Sequence, residues 1–499
     1  MHDNTPILVG AGQVVQREVC ETSHMQLAAL ASEAAILDCG VPAIAPQIDT
    51  ICVTKLFSDM GHLGHCKLGR SDNPPQSVAS RIGANPSHRI YTQAGGNEPQ
   101  SRLIEFAADI ARGERSLVLL TGAEALKNLR RAERDGADLD WNEHFEEPME
   151  DRGFGDMGAT SQELASGLNS AIYYYSLVEE AQRQQQGRSV EQHRAAMARL
   201  LESFSRVAVG NPYAQFSDLR TVRDILDAPS MTHLYTSKMI ARDGVNQGAA
   251  LLLCSVGKAR EQGIDESRWV FLHGMAEGRD LELCNRADPG ISPMAGLVAE
   301  RALEMAQLGI DEIDMIDIYS CFPCAVTTMA LQLGLPSDGS RSLTATGGLP
   351  YFGGPGNNYS MHAIAEAVHW ARQQPAGHAM VSSTGGVLYK HGCGVFSHKA
   401  SSIDWSAQAT RVSNESFKRR AVSADPGMGT IVSYTVHFDR DESAHAIILG
   451  ETDAGERFVA CTAPEDLTTA VKMLEKDPTG QAVIVASPIK ERLQFRLTM

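Results

Sequence analysis

The stretch RIYTQAGGNEPQSRLIEFAADIARGERSLVLLTGAEAL at 89–126 sets out its signals in the order strand, glycine loop, helix, strand. The helix is marked at both ends. Pro99 suits a first turn, where a missing N–H is no loss, and Gly113 suits the left-handed residue that stops a helix. Between them Leu103, Phe106, Ala107, Ile110 and Ala111 share one face. SLVLL then runs without polar alternation, the pattern of a strand covered by helices on both sides. A chain written this way folds as a layered, largely parallel-sheet α/β protein with functional groups at strand ends and in the loops after them.

The same alternation recurs on both sides of that stretch. ILVGAGQ at 7–13 reads as a buried strand, MQLAALASEAAILDCG as a helix closed by Gly40, and IDTICVTK at 48–55 as a strand. From about 127 to 240 the composition turns polar and charged, with helical stretches around 171–209, and reads as an insertion rather than a new core. The pattern resumes with RDGVNQGAALLLCS at 242–255 and the strand WVFLHG at 269–274. GLVAERALEMAQLGI at 296–310 predicts an amphipathic helix with Leu303, Met305 and Ala306 among its apolar positions. IDMIDIYSCF at 313–322 predicts a strand feeding the helix AVTTMALQLG, and MHAIAEAVHWARQQ and HAMVSS continue as helix and strand.

After about 405 the texture changes again. GTIVSYTVHFDR places Val432, Tyr434, Val436 and Phe438 on one face and Ser433, Thr435 and His437 on the other, a half-buried strand followed by a charged turn. AHAIILGE, ERFVACT and QAVIVASPI read as further short strands, with a helix in PEDLTTAVKMLEKD. The economical reading of 405–499 is a separate small β-barrel or β-sandwich.

Bulk properties narrow the function. A chain of 499 residues accommodates about two to four domains. A formal charge of -17 argues against non-specific nucleic-acid binding and requires a local basic or N–H-rich pocket for any anionic ligand. The start MHDNTPILVGAGQ lacks a basic, apolar leader, and no run of about 18 apolar residues occurs. A cytoplasmic protein with no membrane partner is expected. Ten dispersed cysteines fit reduced thiols, and the single Cys-x-x-Cys pair, Cys321 and Cys324, has no second pair to complete a zinc site, so no metal is expected.

Two glycine-dense stretches stand out, GGLPYFGGPGNNYSMH at 347–362 and STGGVLYKHGCGVFS at 383–397. Gly347, Gly348, Gly353, Gly354 and Gly356 fit a backbone that adopts positive φ or meets a ligand with bare N–H groups, although ordinary surface turns also use glycine. Each stretch carries a histidine near its far end, His362 and His391, able to act as a general base, to donate to a carbonyl oxygen, or to fix a loop. Asn357 and Asn358 suit turn positions, and the N–H groups of Gly385 and Gly386 suit oxyanion donors. No Gly-x-x-x-x-Gly-Lys-Ser/Thr segment supports nucleotide binding.

In this order the segments resemble the thiolase superfamily over roughly 1–400, specifically thiolase-like proteins with an added C-terminal domain. The resemblance implies a five-layer αβαβα fold from two similar halves. These are 1–258 with a loop-domain insertion at 127–240, and 259–404, followed by a β-rich, OB-like domain at 405–499. It implies a coenzyme A thioester as substrate, no covalently bound cofactor, and a homodimer or a partner protein met through the C-terminal domain.

The catalytic positions depart from the family. Gly96, in AGGN, stands where thiolases carry the nucleophilic cysteine at a helix start. Tyr319, Ser320, Cys321 and Phe322 match the Asn-Glu-Ala-Phe or His-Asp-Cys-Phe loop, leaving Cys321 as a candidate acid/base and Tyr319 in place of histidine. Tyr319 is similar to the tyrosine of steroid side-chain aldolases in the superfamily, where a phenol moves the proton, and a nearby cation such as Lys390 would lower its pKa. Gly353, Gly354 and Pro355 replace Gly-His-Pro, and Ser383, Thr384 and Gly385 replace Cys-x-Gly.

The site expected from all this combines Tyr319, Cys321, His362 and His391 for chemistry with Gly348, Gly353, Gly354, Asn357, Gly385 and Gly386 for ligand binding. The function expected is that of an acyltransferase-family protein of lipid metabolism, resembling acetyl-CoA acetyltransferases. It would make or break a C–C bond beside a CoA thioester without an acyl-enzyme; the alternative is a non-catalytic acyl-CoA binding or scaffold protein.

Overall fold

The computed structural model describes residues 2–60, 66–439 and 443–498. Eleven strands build the main sheet: β1 (Pro6–Val15), β2 (Thr50–Val53), β3 (His88–Tyr91), β4 (Leu117–Ala125), β5 (Glu150–Asp151), β6 (Asn246–Ser255), β7 (Val270–Arg279), β8 (Met315–Asp317), β9 (Ala379–Gly385), β10 (Lys390–Ser397) and β11 (Arg411–Val412). Their order is β5-β3-β2-β4-β6-β1-β7-β10-β9-β8, with β11 beside β7. The helices are α1 (His24–Asp38), α2 (Pro74–Ile82), α3 (Glu98–Arg112), α4 (Leu126–Asp135), α5 (Ser161–Ala165), α6 (Ala171–Gln185), α7 (Val190–Gly210), α8 (Val222–Leu226), α9 (Val256–Glu261), α10 (Pro293–Ala306), α11 (Pro323–Gln332), α12 (Tyr359–Gln373) and α13 (Thr469–Glu475). None of the described helices is long and apolar enough to cross a membrane.

Two copies of one motif meet across β1 and β7, where Ile7 pairs with Phe271. In the first copy β2 runs parallel to β4, and β4, β6 and β1 are mutually antiparallel neighbours. In the second, β8 runs parallel to β9, and β9, β10 and β7 repeat the antiparallel run. Matching glycines repeat as well. Gly12 lies against the backbone of Ala31 and Ala35 in α1, and Gly274 against Ala302 and Ala306 in α10, each without room for a Cβ. α3 and α12 fill the layer between the halves, where Leu103, Phe106, Ile110, Met361, Ile364 and Val368 share one apolar core. With α1 and α2 outside the first half and α10 and α11 outside the second, the fold is the five-layer αβαβα arrangement.

The internal repeat locates the irregular part of the chain. In the second half β9 and β10 are joined by residues 386–389; in the first, the equivalent β4 and β6 are separated by everything from α4 to α8. Contrary to the expectation that 127–240 adds no core, Leu168, Tyr175, Leu177, Leu201, Phe204 and Met239 are buried together with Val298, Val326 and Phe352 of the second half. Polar composition concealed this because α6 buries polar side chains, Ser176, Glu180 and Gln182 among them, each matched by a hydrogen bond. The supposed loop at 383–397 is also corrected, since it is the β9/β10 hairpin and His391 lies within a strand. The strand expected over 313–322 is confined to Met315–Asp317, and Pro323 starts the next helix.

The C-terminal region forms a closed five-stranded barrel of β12 (Met428–Phe438), β13 (Ala444–Glu451), β14 (Arg457–Cys461), β15 (Ala482–Ile489) and β16 (Arg492–Leu497), consistent with an OB-like domain. The charged turn expected after β12 falls at 440–442, outside the described residues. The alternation expected in β12 is corrected. Ser433 and Thr435 are buried rather than exposed, because Ser433 donates to Leu177 O at 2.7 Å and Thr435 to Ser176 Oγ at 2.9 Å on α6. The barrel thus packs on the inserted helices through these hydroxyls and through Ile447, Leu449, Val459 and Cys461, which join the apolar core of the insertion.

A buried ion network reinforces that contact. Arg183 donates to both carboxylate oxygens of Glu180, at 2.8 and 2.6 Å, and also pairs with Asp477 of the barrel region. His233, stacked on Tyr434 of β12, reaches the same carboxylate at 3.3 Å. Burial pushes the Glu180 carboxyl upward, but hydrogen bonds from His233 and Arg183 outweigh it and hold the group below its ordinary range. A carboxyl with a depressed folded-state pKa stabilises fully above its unfolded value, about 4.3, and loses that contribution as pH falls. Arg183→Met removes the partner but leaves the charge buried. We expect a loss of about 3–5 kcal/mol in urea unfolding at pH 7, shrinking as the pH is taken below about 4.

Candidate functional site

The loop Thr92–Asn97 leaves β3 and delivers Gly95, Gly96 and Asn97 to the start of α3. Gly95 has φ +146°, a backbone open to glycine alone. The second glycine-rich segment clamps this loop from the other half. Asn357 accepts from Gly95 N at 2.9 Å and donates to Lys55 O at 2.7 Å. Asn358 donates to Gly122 O at 2.7 Å, and Ser360 Oγ donates to Gly96 O at 2.7 Å. The asparagines therefore tie the strand ends of the first half to the loop of the second, and neither is a solvent-facing turn residue.

Tyr319 arrives from the end of β8, with its N–H bonded to Ser382 Oγ at 3.0 Å and its ring edge-on to Tyr359, centroids 5.3 Å apart. A Cβ built on Gly96 would collide with the Tyr319 hydroxyl and stand 2.6 Å from Thr384 O and 2.7 Å from Tyr319 Cζ. The space of a nucleophile side chain is thus filled by a phenol. That hydroxyl has no hydrogen-bond partner among the described residues, and Tyr319 retains 7% exposure. Burial, then the neighbouring Cys321, pushes its pKa upward; Lys390 does not lower it as the sequence suggested. Burial likewise pushes the Cys321 thiol up to about 12, against an opposing hydrogen bond with Tyr175. Tyr175 belongs to α6 and stacks on Phe322 at 4.3 Å, so the insertion supplies one wall.

The glycines take distinct roles. Gly348 and Gly353 have φ +78° and +125°, as expected of this loop. Gly354 does not, and its N–H is spent on Arg242 O at 2.8 Å. Gly385 has no room for a Cβ because Asn97 Oδ1 occupies that point, and Gly386, φ +64°, packs on the Met157 carbonyl. Behind them Asp317 accepts from Ala345 N, Thr346 N and the hydroxyls of Thr344 and Thr346, at 2.9 to 3.0 Å, fixing the entry to the loop. Sequence reasoning missed Tyr175, Ser360 and Asp317. Only the last left a signal, an acidic residue inside an otherwise apolar strand.

The histidines stand apart. His362, fully buried on α12, bonds Gln13 through Nδ1 at 2.8 Å and packs against Phe352, and burial lowers its pKa to about 3. His391 bonds Ser292 Oγ at 2.9 Å, and burial, opposed by Asp280, lowers its pKa to about 4. Neither has a hydrogen bond or ring contact with Gly96, Tyr319 or Cys321 among the described residues.

Five layers, two repeated halves and a loop at an α3 N-terminus clamped by the opposite half define a thiolase-type α/β protein. Residues 410–488 match the family described as the thiolase-like protein type 1 additional C-terminal domain. The whole chain is similar to a monomeric SCP2-thiolase-like protein type 1 from Mycobacterium smegmatis, at 36% identity and a TM-score of 0.84, with each chain covered in full. The chain belongs to this SCP2-thiolase-like protein type 1 family. More distant is the Ltp2-ChsH2(DUF35) aldolase, with 18% identity, a TM-score of 0.56, and coverage of 80% of this chain and 98% of that one. An acetyl-CoA acetyltransferase of Methanocaldococcus jannaschii is 21% identical over 338 residues, which is 66% of this chain and 76% of that protein.

Two outcomes follow. Gly96→Cys, which would place a thiol where the resemblance to thiolases expects one, meets the phenol and a carbonyl instead. It should destabilise the fold by about 1–3 kcal/mol in thermal denaturation. His362 and His391 are held neutral in the fold while the unfolded chain takes up protons near pH 6.5. Their stabilisation is complete above that pH and is lost as pH falls, with a slope of up to about 1.4 kcal/mol per pH unit for each. Urea midpoints measured from pH 7 to 4.5 should fall, and His362→Gln should flatten part of the slope.

Proposed function

We propose that this protein takes an acyl-CoA thioester at the loop around Gly96 and acts beside the thioester carbonyl without forming an acyl-enzyme. The observation that carries the reading is the unspent Tyr319 hydroxyl at the place of the missing nucleophile. A phenol with a raised pKa stays protonated at neutral pH, so it donates a hydrogen bond rather than attacking or accepting a proton. Directed at a thioester oxygen, such a donor stabilises the enolate that forms when a C–C bond is made or broken at the adjacent carbon. Gly96 has no group to acylate, which supports a non-covalent course.

A second reading, binding without turnover, is favoured by the four groups expected to move protons. Cys321 sits at about 12, His362 at about 3 and His391 at about 4, while Tyr319 is raised, so none titrates near neutrality. Calorimetric titration with acetyl-CoA, together with assays of β-ketoacyl- and β-hydroxyacyl-CoA cleavage, separates the readings. Binding with cleavage supports the first and binding alone the second; no binding defeats both. Intact mass after incubation with acetyl-CoA should show no acyl adduct. Tyr319→Phe should weaken thioester binding by about 1 kcal/mol, roughly five-fold.

A further inference from the structure

Two buried lysines flank the loop before α3, and they are treated differently. Lys55, on the first-half side, places Nζ 2.8 Å from Asp151 and over the ring of Tyr91. Lys390 opens β10 opposite Gly385 and is 3% exposed. Its Nζ has three N–H groups and makes one hydrogen bond among the described residues, to Ala94 O at 3.1 Å. No carboxylate lies within ion-pair distance of it there. The charged groups around it are committed elsewhere or share its sign. Glu98 is paired with Arg102 at 3.3 Å, Asp156 accepts the Tyr389 hydroxyl at 3.0 Å, and Arg279 is the partner of Lys390 across the β7/β10 ladder. Burial lowers its pKa, with Glu98 acting in the opposite direction, as expected of an ammonium group short of a counter-ion.

A buried charge with unused donors is costly, and it becomes favourable when an anion arrives to share it. The position of Lys390 says where that anion would sit. Nζ is 3.7 Å from the point where a Cβ on Gly95 would stand, one residue from Gly96. Lys390 Nζ therefore lies beside the loop position next to Gly96.

We propose that Lys390 is the specificity-determining residue of the site, receiving a carboxylate on the acyl arm, so that the ligand class is the CoA thioester of a short dicarboxylic acid. This rests on the reading that the site takes a CoA thioester. A charge-assisted hydrogen bond contributes about 1.5–3 kcal/mol, which sets the expected discrimination at roughly ten-fold or more.

The test is calorimetric titration of the full chain with acetyl-, malonyl- and succinyl-CoA. At least one dicarboxylic ester should bind about ten-fold tighter than acetyl-CoA. Lys390→Met and Lys390→Gln should bring the ratio between dicarboxylic and acetyl-CoA affinities to about one, whatever change the two esters share, and Lys390→Arg should retain part of the preference. Equal affinities in the unaltered protein, or a preference that survives Lys390→Met, overturn the assignment and leave the thioester site standing. Failure to bind any of the three overturns the thioester site itself. Should neither neutral variant fold, the conservative Lys390→Arg decides: the dicarboxylic advantage should shrink, because a planar guanidinium replaces the ammonium, and an advantage identical to that of the unaltered protein overturns the proposal.

Discussion

The hydroxyl of Tyr319 stands where a β-carbon on Gly96 would be, and the centre of the molecule is arranged around that approach. Because Gly96 has no side chain, the end of β8 can advance until a phenol from the second half fills the place of a nucleophile from the first. Ser360, Asn357 and Asn358 hold the two halves at that separation through hydrogen bonds to main-chain groups, which do not depend on what side chain the loop bears. The thiolase framework is thus preserved by backbone contacts while its reactive groups have been exchanged. The absence of a side chain at Gly96 is therefore coupled to its surroundings and does not leave a hole.

The inserted segment and the barrel extend the same economy outward. In the second half a four-residue hairpin joins β9 to β10, while in the first the equivalent connection carries five helices. One of them, α6, faces two ways. Tyr175 closes the site against Phe322, and Ser176, Leu177, Glu180 and Arg183 receive the barrel. The barrel face that meets α6 combines bonded hydroxyls with Ile447, Leu449, Val459 and Cys461 in a shared apolar core, so the C-terminal domain is built into the body of the protein.

Much of this was legible in the chain. Unbroken apolar runs such as SLVLL and GAALLLCS, and helices bounded by Pro99 and Gly113, placed the layers because burial on both faces leaves a strong pattern. The departures at Gly96 and Gly354 were legible because they are identities. What sequence could not give was direction. Ser433 and Thr435 read as exposed until α6 supplied their partners. His362 and His391 read as catalytic because they follow glycine, yet each points into packing held by a residue distant in sequence, Gln13 in one case and Ser292 in the other. Likewise the polar composition of 127–240 suggested a surface excursion, because the buried polar residues of α6, such as Ser176 and Gln182, find their partners in the barrel and the second half, far away in sequence.

The electrostatics of the site then limit its chemistry. Burial drives the acids up and the histidines down, so the groups best placed near the loop are neutral donors rather than bases. A site of this kind would gain its discrimination from fixed dipoles and from any charge left without a carboxylate within ion-pair distance. Lys390 is the group that fits the second description, since its fellow Lys55 has been given a carboxylate and it has not. Under the proposed reading, an acidic protein with a cation beneath its central loop and, among the described residues, no carboxylate within ion-pair distance of it would meet the requirement that its charge imposes on anionic ligands, a local basic site against an unfavourable overall field.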